Sequence, residues 1–320
     1  MASGLHGEQQ ALEQILVLTR LALDAAWLAA QAPRYRFMAW HEAGDGARAS
    51  ARAVLTNGST GLSAAELAAL PALELVASFG AGYENIDLAA ARARGVRVCH
   101  APDTNSQVVA DHALTLMLAL SRGIAALDRG VKSGQWESLR APRPGVRGKT
   151  LGIVGLGNIG GKLAVLAQAM GMQVAYLRRS APAAAHYTPY ADPIALAAAS
   201  DVLALTCPGG AATHHLVDAA VLRALGPRGL LVNVARGSVV DTLALVEALA
   251  RGEIAGAALD VIETEPSVPA ALREMDQVIL TPHLAGRSPE TRVAQHTALA
   301  GNLDGWFLQG EPMHPVALPA

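Results

Sequence analysis

Three segments in the second half of the chain each end an apolar stretch with a residue that can hold an anion or move a proton. The stretch 230–234 is followed by Arg236, the stretch 256–261 by Glu263 and Glu265, and the stretch 278–281 by His283. A guanidinium binds carboxylates through a planar fork. A histidine beside a carboxylate can transfer a proton near neutral pH. Residues of these types could bind an anion and transfer a proton if the fold brings them together.

Each of these residues also has an ordinary structural interpretation. A strand-end arginine is usually a surface cation, and a single histidine is more often a loop residue than a catalyst. The three segments favour a site because the carboxyl ends of parallel strands meet at one edge of a sheet, where ligands bind. Spacing does not separate Glu263 from Glu265, since both lie on the same side of an extended segment.

A glycine motif precedes these segments and predicts a dinucleotide site. The stretch 155–160 matches Gly-x-Gly-x-x-Gly, with an apolar stretch before it and a helical pattern after it. In that context the glycines form a tight turn and the helix N-terminus receives a pyrophosphate. The predicted contacts are Gly155, Leu156, Gly157, Asn158, Ile159 and Gly160.

The end of the next predicted strand indicates which dinucleotide binds. An NAD site usually has an acid there, whereas this chain has Arg178, Arg179 and Ser180. Two guanidinium groups and a hydroxyl suit a 2′-phosphate. We therefore expect NADP(H) to be preferred, with NAD(H) possible. The alternative interpretation is a pair of solvated surface arginines.

Short β-branched or apolar stretches alternate with Ala/Leu-rich helical patterns, which is typical of βα units that wind a parallel sheet. The alternation occurs twice. Strands are predicted in the first round at 15–18, 35–39, 53–55, 73–77 and 96–98, and in the second at 150–154, 173–177, 202–206, 230–234, 256–261 and 278–281. Helices are predicted at 106–122 and 159–170, and a last helix opens at Ser288. Ser63 with Glu66 forms a predicted capping box, and Asp87 a second cap.

Composition limits the classes of protein. The chain has 320 residues, 52% hydrophobic and 16% charged, with a formal net charge of −2. These values fit about two globular domains and provide no basic field for nucleic acid. Two cysteines, no secretory signal and no long apolar span favour a cytoplasmic protein that does not contact a membrane. No set of residues has the spacing of a metal site.

These motifs resemble those of the D-isomer-specific 2-hydroxyacid dehydrogenases, in particular the glyoxylate/hydroxypyruvate reductase branch. The resemblance extends from about residue 50 to about residue 310. It implies that His283 donates a proton to the substrate's carbonyl oxygen and that Glu265, the acid directly before a proline, orients it and favours its charged form. It also implies that Arg236 holds the substrate carboxylate and polarises the carbonyl.

The resemblance implies further contacts. Ala81 and Gly82, in a glycine-containing loop of the first domain, would bind the substrate together with Arg236 and His283. The additional cofactor contacts would be Cys207, Pro208, Thr213, Val234, Ala235, Asp260, His283 and Gly286. Asp111 departs from the family pattern, which more often has Glu there.

The implied architecture is a Rossmann cofactor domain, 103–285, inserted in a flavodoxin-like substrate domain of 1–102 and 286–320, with the active site in a cleft. A homodimer is expected through the region 106–148, with Trp136 as a buried anchor. The expected activity is NADPH-dependent reduction of glyoxylate and hydroxypyruvate. The alternatives are an NAD-linked D-2-hydroxyacid dehydrogenase and a dinucleotide-sensing interaction protein without catalytic activity.

Overall fold

The computed structural model describes residues 14–178 and 186–318. Of these, the residues up to Thr104 and from Arg292 onward form one compact unit, unit 1, and Asn105–Thr291 form unit 2. The sequence predicts the second boundary at 285/286, in the loop before the last helix. The division between units 1 and 2 lies at Thr291, within the first turn of that helix, and the predicted domain boundary stays a prediction.

Unit 1 contains a parallel sheet whose strand order, β2-β1-β3-β4-β5, is that of flavodoxin-like folds. Over the described residues its strands are β1 (Ile15–Thr19), β2 (Tyr35–Ala39), β3 (Ala53–Thr56), β4 (Leu75–Ser78) and β5 (Arg97–Cys99). The central strands β3 and β4 are buried along their whole length. Such strands need apolar side chains on both faces, which explains why their sequences are continuously apolar rather than alternating.

Four helices connect these strands: α1 (Ala25–Gln31), α2 (Asp45–Ser50), α3 (Ala64–Ala68) and α4 (Leu88–Ala93). The predicted capping box is confirmed, because Ser63 accepts from the Glu66 backbone while Glu66 accepts from the Ser63 backbone. The Asp87 cap is also confirmed, through the Ala90 N–H. These caps satisfy backbone donors that a helix start leaves free.

Unit 2 contains a second parallel sheet, ordered β12-β11-β10-β9-β6-β7-β8. Its strands in the described part of the chain are β6 (Thr150–Val154), β7 (Gln173–Leu177), β8 (Thr188–Tyr190), β9 (Val202–Leu205), β10 (Leu230–Asn233), β11 (Gly256–Leu259) and β12 (Val278–Leu280). The order reverses at β6, as in a Rossmann fold. The predicted count of six strands is wrong by one: β8 adds a short, largely exposed edge strand that tolerates Pro189, as edge strands do.

Among its described residues, this unit contains the α-helices α5 (Ser106–Arg122), α6 (Ile124–Lys132), α7 (Asn158–Ala169), α8 (Pro193–Ala198), α9 (Ala219–Leu225), α10 (Thr242–Ala250) and α11 (Ala270–Glu274). Helix α5 has the predicted bounds and ends at Gly123, whose φ of 66° is left-handed. Among the described residues no single helix is long and apolar enough to cross a membrane, and only α5 with α6, bent by 58°, passes that test as a pair.

The last helix, α12 (Pro289–Gln309), begins in unit 2 and continues into unit 1. Ser288 caps it by accepting from the Thr291 N–H at 3.1 Å. Leu299 and Leu303 are fully buried in a core with the apolar residues of β1, β3 and β4. The predicted fold class, two doubly wound parallel sheets, is therefore confirmed.

Candidate active site

The predicted functional residues of unit 2 follow the carboxyl ends of its strands. The glycine turn follows β6, Arg178 follows β7, Cys207 follows β9, Arg236 follows β10 and His283 follows β12. All neighbouring strand pairs in this sheet are parallel. The sheet therefore brings these segments to the same edge, the edge at which open α/β sheets bind ligands.

The glycine turn has the shape of a dinucleotide cradle. Gly155 has a φ of 102°, and a Cβ there would lie 2.6 Å from the backbone of Cys207. A Cβ on Gly160 would collide with the carbonyl oxygen of Gly155, whereas one on Gly157 would meet nothing within 4 Å. The turn is thus tight at both ends and open at Gly157, at the start of α7, where a pyrophosphate would approach.

The other residues of this turn divide between core and surface. Leu156 and Ile159 pack against the core under the sheet, and Asn158 is exposed. Thr206, which the sequence did not single out, donates to the Gly155 carbonyl at 2.7 Å and so braces the turn. Its position after a buried strand was the only sequence signal for that role.

Hydrogen bonds within the loop after β9 stabilise its conformation. Cys207 is 8% exposed, and Thr213 is 5% exposed and donates to the Pro208 carbonyl at 2.8 Å. The Thr213 hydroxyl therefore stabilises the conformation of the loop. Contacts of Cys207, Pro208 and Thr213 with a cofactor remain a prediction.

The residues expected to select the cofactor lie at the margin of the described chain. Arg178 is exposed, and its backbone N–H donates to Tyr190 at 2.8 Å, which adds the edge strand β8. Arg179 and Ser180 lie outside the described residues.

A turn built by Asn233 positions Arg236. The Asn233 side chain accepts from the Ala235 N–H at 3.0 Å and donates to the Arg236 carbonyl at 3.1 Å. Val234 and Ala235 are buried at the end of the strand. The Arg236 side chain is half-buried and lies across Gly209, where a Cβ would come within 2.8 Å of its Cγ.

His283 and Glu265 form a direct pair. The ring N–H at Nδ1 of His283 donates to Oε2 of Glu265 at 2.8 Å. The other carboxylate oxygen, Oε1, accepts from the Ile262 N–H at 2.9 Å, which fixes the orientation of the carboxylate. Both side chains are about one-third exposed, at 36% and 37%. This arrangement leaves Nε2 of His283 as the ring nitrogen available to a reactant.

Glu263, the alternative left open by spacing, pairs with a different histidine. Its Oε1 accepts from Nε2 of His215 at 2.7 Å. That hydrogen bond is the main reason that the pKa of Glu263 is lowered, although partial burial opposes it. Glu265, not Glu263, therefore contacts His283. No pattern in the sequence predicts the His215–Glu263 contact, which joins residues 48 positions apart.

Asp260 anchors the loop that carries His283. Asp260 is 2% exposed, and its side chain accepts from the Leu284 and Ala285 N–H groups, each at 2.9 Å, and from the Thr281 hydroxyl at 2.5 Å. The Asp260 carbonyl accepts from the His283 N–H at 2.9 Å, and His283 has a left-handed φ of 50°.

A carboxylate with three such donors holds a backbone conformation that bulky residues rarely adopt. The structure thus assigns the Asp260 side chain to this loop, and its contact with a cofactor remains a prediction. Gly286, at the end of the same loop, packs closely against Asn105: a Cβ there would lie 2.5 Å from the Asn105 amide nitrogen.

The predicted substrate loop belongs to unit 1 and is held by side chains of that unit. The Ala81 carbonyl lies 2.9 Å from Nδ1 of His100, and the Gly82 carbonyl accepts from the Ser78 hydroxyl at 2.6 Å. Both residues are half-exposed. Their role toward a substrate carboxylate remains a prediction.

Comparison with known proteins identifies the family. The family model described as D-isomer specific 2-hydroxyacid dehydrogenase, NAD binding domain, matches residues 114–285. Glyoxylate/hydroxypyruvate reductase A of Arabidopsis thaliana is 40% identical over 270 residues, which cover 84% of this chain and 86% of the relative. Hydroxyphenylpyruvate reductase of Plectranthus scutellarioides is 40% identical over 82% of this chain and 84% of its own.

A solved structure is similar along nearly the whole chain. The NADPH-dependent glyoxylate/hydroxypyruvate reductase of Sinorhizobium meliloti, in complex with NADP and malonate, has a TM-score of 0.88 and 36% identity. It covers 95% of this chain and 97% of its own. The chain therefore belongs to the D-isomer specific 2-hydroxyacid dehydrogenase family.

Proposed function

We propose that this protein reduces small 2-oxo acids, with glyoxylate and hydroxypyruvate as substrates and NADPH as the preferred reductant. The observation that carries the proposal is the 2.8 Å hydrogen bond between His283 and Glu265 at the carboxyl edge of the unit 2 sheet. Relatives at 40% identity bear the name of this activity or of reduction of a related 2-oxo acid.

In this proposal the His283–Glu265 pair supplies the proton. With Nδ1 bonded to Glu265, Nε2 donates to the carbonyl oxygen as that oxygen gains negative charge. The hydrogen bond from Nδ1 to the carboxylate keeps the ring from rotating. When bound, a nicotinamide dinucleotide supplies the hydride to the carbonyl carbon.

Arg236 binds the substrate's carboxylate in this scheme. A guanidinium keeps its charge at every physiological pH and presents paired donors to two oxygens. Its side chain is half-buried and packed across Gly209, so that little rotamer freedom is lost on binding. The positive charge also polarises the carbonyl.

The preference for NADPH rests on Arg178, together with Arg179 and Ser180. Arg178 is exposed just after β7, and in Rossmann folds the group that recognises the ribose commonly follows this strand. The related Sinorhizobium meliloti enzyme is described as NADPH-dependent and was solved with NADP. We expect Arg178→Asp to weaken NADPH relative to NADH by about tenfold or more, since a charge-assisted hydrogen bond is replaced by repulsion. An unchanged preference would remove this argument.

Initial rates with NADPH and with NADH against glyoxylate, hydroxypyruvate, pyruvate and an aromatic 2-oxo acid test the whole proposal. Fastest turnover of the two small acids with NADPH is the expected result. Equal or faster rates with NADH would favour an NAD-linked D-2-hydroxyacid dehydrogenase. Tight dinucleotide binding without turnover of any acid would favour a sensing protein.

We also propose that the protein forms a homodimer through the region around α6. No residue of this helix is buried, and Ile124, Val131 and Trp136 are 53%, 40% and 62% exposed. Large apolar side chains exposed close together in sequence favour a protein interface. Light scattering should give the mass of a dimer, and Trp136→Glu should lower it. A monomeric wild type would contradict the proposal.

A further inference from the structure

Two neighbouring histidines and an acid meet outside the residues assigned above to proton transfer. The ligand atoms of His214, His215 and Glu263 all lie within 4.8 Å of one another. The two imidazole rings stack with centroids 3.9 Å apart and planes inclined by 26°. His215 already contacts Glu263 through Nε2, at 2.7 Å.

The backbone explains why adjacent side chains point the same way. His215 has a φ of 49°, a left-handed value that a bulky residue adopts only when its surroundings impose it. Its N–H donates to the Ser238 carbonyl at 2.8 Å, and the next two N–H groups donate to Thr213 and Val239 at 3.2 and 3.0 Å. These bonds hold both rings on one side of the loop, facing Glu263.

The donor set matches the preferences of a zinc-type ion. Two imidazoles and one carboxylate, with a fourth position open to water, are a common set of zinc ligands. In tetrahedral coordination with metal–ligand bonds of about 2.0–2.1 Å, the ligand atoms lie roughly 3.3 Å apart. The His215–Glu263 contact at 2.7 Å and the 4.8 Å limit of the cluster lie on either side of this spacing. Changes of about 0.6 to 1.5 Å in the distances between ligand atoms would therefore bring the three groups to tetrahedral spacing.

The cluster of His214, His215 and Glu263 is accessible to solvent, and a neighbouring residue orients its carboxylate. His214 is exposed, and the side chains of His215 and Glu263 are 35% and 31% exposed, which leaves an entry path from solvent. Thr242 hydrogen-bonds the Glu263 carboxylate, the kind of outer contact that orients a metal ligand.

We propose that His214, His215 and Glu263 form a binding site for a divalent transition-metal ion such as Zn²⁺. The ion takes the place of the proton between His215 and Glu263 and adds His214 as the third ligand. It joins the loop after β9 to the segment after β11. That segment also carries Glu265, whose N–H donates to the Ile262 carbonyl at 3.3 Å. The site is thus placed to restrain the acid that contacts His283.

Equilibrium dialysis of the tag-free protein against Zn²⁺ tests the site without any assay of turnover. We expect one bound ion per chain for the wild type, and binding weakened by about tenfold or more in both His214→Ala and Glu263→Gln. The matched control is His41→Ala, which removes an exposed histidine of unit 1 and should leave binding unchanged. Mg²⁺ at the same concentration should not compete, since it prefers oxygen ligands.

Two results would overturn the proposal. Absence of a stoichiometric ion in the wild type would mean that the cluster is only a hydrogen-bonded pair with a stacked neighbour. Binding of equal strength in the wild type and in both variants would place the ion elsewhere. Glu263→Gln keeps the size and shape of the side chain, so the test does not depend on the folding of His214→Ala alone.

Discussion

The two units build similar parallel sheets but use their ionisable groups differently. At the strand ends of unit 2, His283 and Glu265 pair while each remains about one-third exposed. In unit 1, Tyr35 is 1% exposed and donates to Asp304 at 2.7 Å, and His296 is 7% exposed and stacked on Trp27. The His283–Glu265 pair of unit 2 is thus accessible to a reactant. Tyr35 and His296 of unit 1 are buried away from solvent.

Hydrogen bonds of polar groups in unit 1 attach α12 to other elements of that unit. Asp304 binds β2 through Tyr35, the carbonyl of His296 accepts from the Trp27 indole at 3.1 Å, and Asn302 donates to the His100 carbonyl at 2.8 Å. Burial, and then the Asp304 hydrogen bond, raise the pKa of Tyr35 well above its usual range. From this contrast we expect substitutions at the unit 2 edge to change turnover and substitutions in unit 1 to change stability.

The largest expected effect is that of His283→Asn. Loss of the proton donor should lower kcat by about 10²–10⁴, equivalent to roughly 3–5 kcal/mol in the barrier. Because the side chain is 36% exposed, the free energy of unfolding should change by less than about 0.5 kcal/mol. Steady-state kinetics and urea unfolding measure the two quantities. His41→Asn, which alters an exposed histidine of unit 1, should change neither. A near-normal kcat in His283→Asn would remove the basis of the contrast.

Asp260→Asn should be an exception to this difference between the units, because Asp260 lies in unit 2 but is buried. We expect it to change both stability and turnover. The carboxylate accepts from three donors, and an amide in its place presents N–H to at least one of them. We expect a loss of about 1–3 kcal/mol in unfolding free energy. A lower kcat should accompany it, since the loop also holds His283 at its left-handed φ. Unchanged stability together with unchanged kcat would contradict the anchoring role.

The sequence predicts the sheets better than the contacts between loops. Strands β6 and β7 and helix α5 have their predicted bounds, because continuous apolar stretches between turn residues mark buried parallel strands. Strand β2 also has its predicted bounds, although it is an edge strand that contains Arg36. Strand β8 escaped notice because three residues with a proline in the middle carry no periodic signal. Helix α6 also had no prediction, since a single residue, the left-handed Gly123, separates it from the end of α5.

Within the site, spacing placed Arg236, Glu265 and His283 at one edge but left the partners of the two acids open. Those partners depend on loop conformation, such as the left-handed φ of His215 and of His283, which side-chain patterns do not encode. The contacts of Thr206 and Asn233 with the turns were also beyond sequence reasoning, because both residues are buried strand ends with no periodic signal of their own.

Tyr35→Phe tests the expectation that substitutions in unit 1 change stability. Removing the hydroxyl loses its hydrogen bond to Asp304, which should lower the unfolding free energy by about 1 kcal/mol. The loss stays modest because Asp304 keeps Arg34 as a partner at 2.9 Å. Tyr187→Phe is the matched control, since its hydroxyl reaches Gln168 only at 3.5 Å near the surface. Equal losses in the two variants would mean that the buried bond contributes nothing specific.

The smallest expected effect is a pH dependence caused by His296. Burial, followed by the nearby charge of Arg292, lowers the pKa of this histidine in the folded protein. The unfolded chain takes up a proton near pH 6.5, whereas the folded protein resists it until a lower pH. The stability that neutral His296 provides is therefore fully present above about pH 6.5. It is lost as the pH falls from there through the lower pKa of the folded protein.

Comparison of unfolding free energies at pH 7.5 and pH 5.5 in wild type and His296→Phe tests this sign. Phenylalanine keeps a ring against Trp27 but has no group to titrate. The decrease between the two pH values should be smaller in the variant, and His41→Gln, at an exposed position, should behave as the wild type. An equal decrease in the wild type and in His296→Phe would contradict the prediction, because it would mean that burial of His296 does not oppose its protonation.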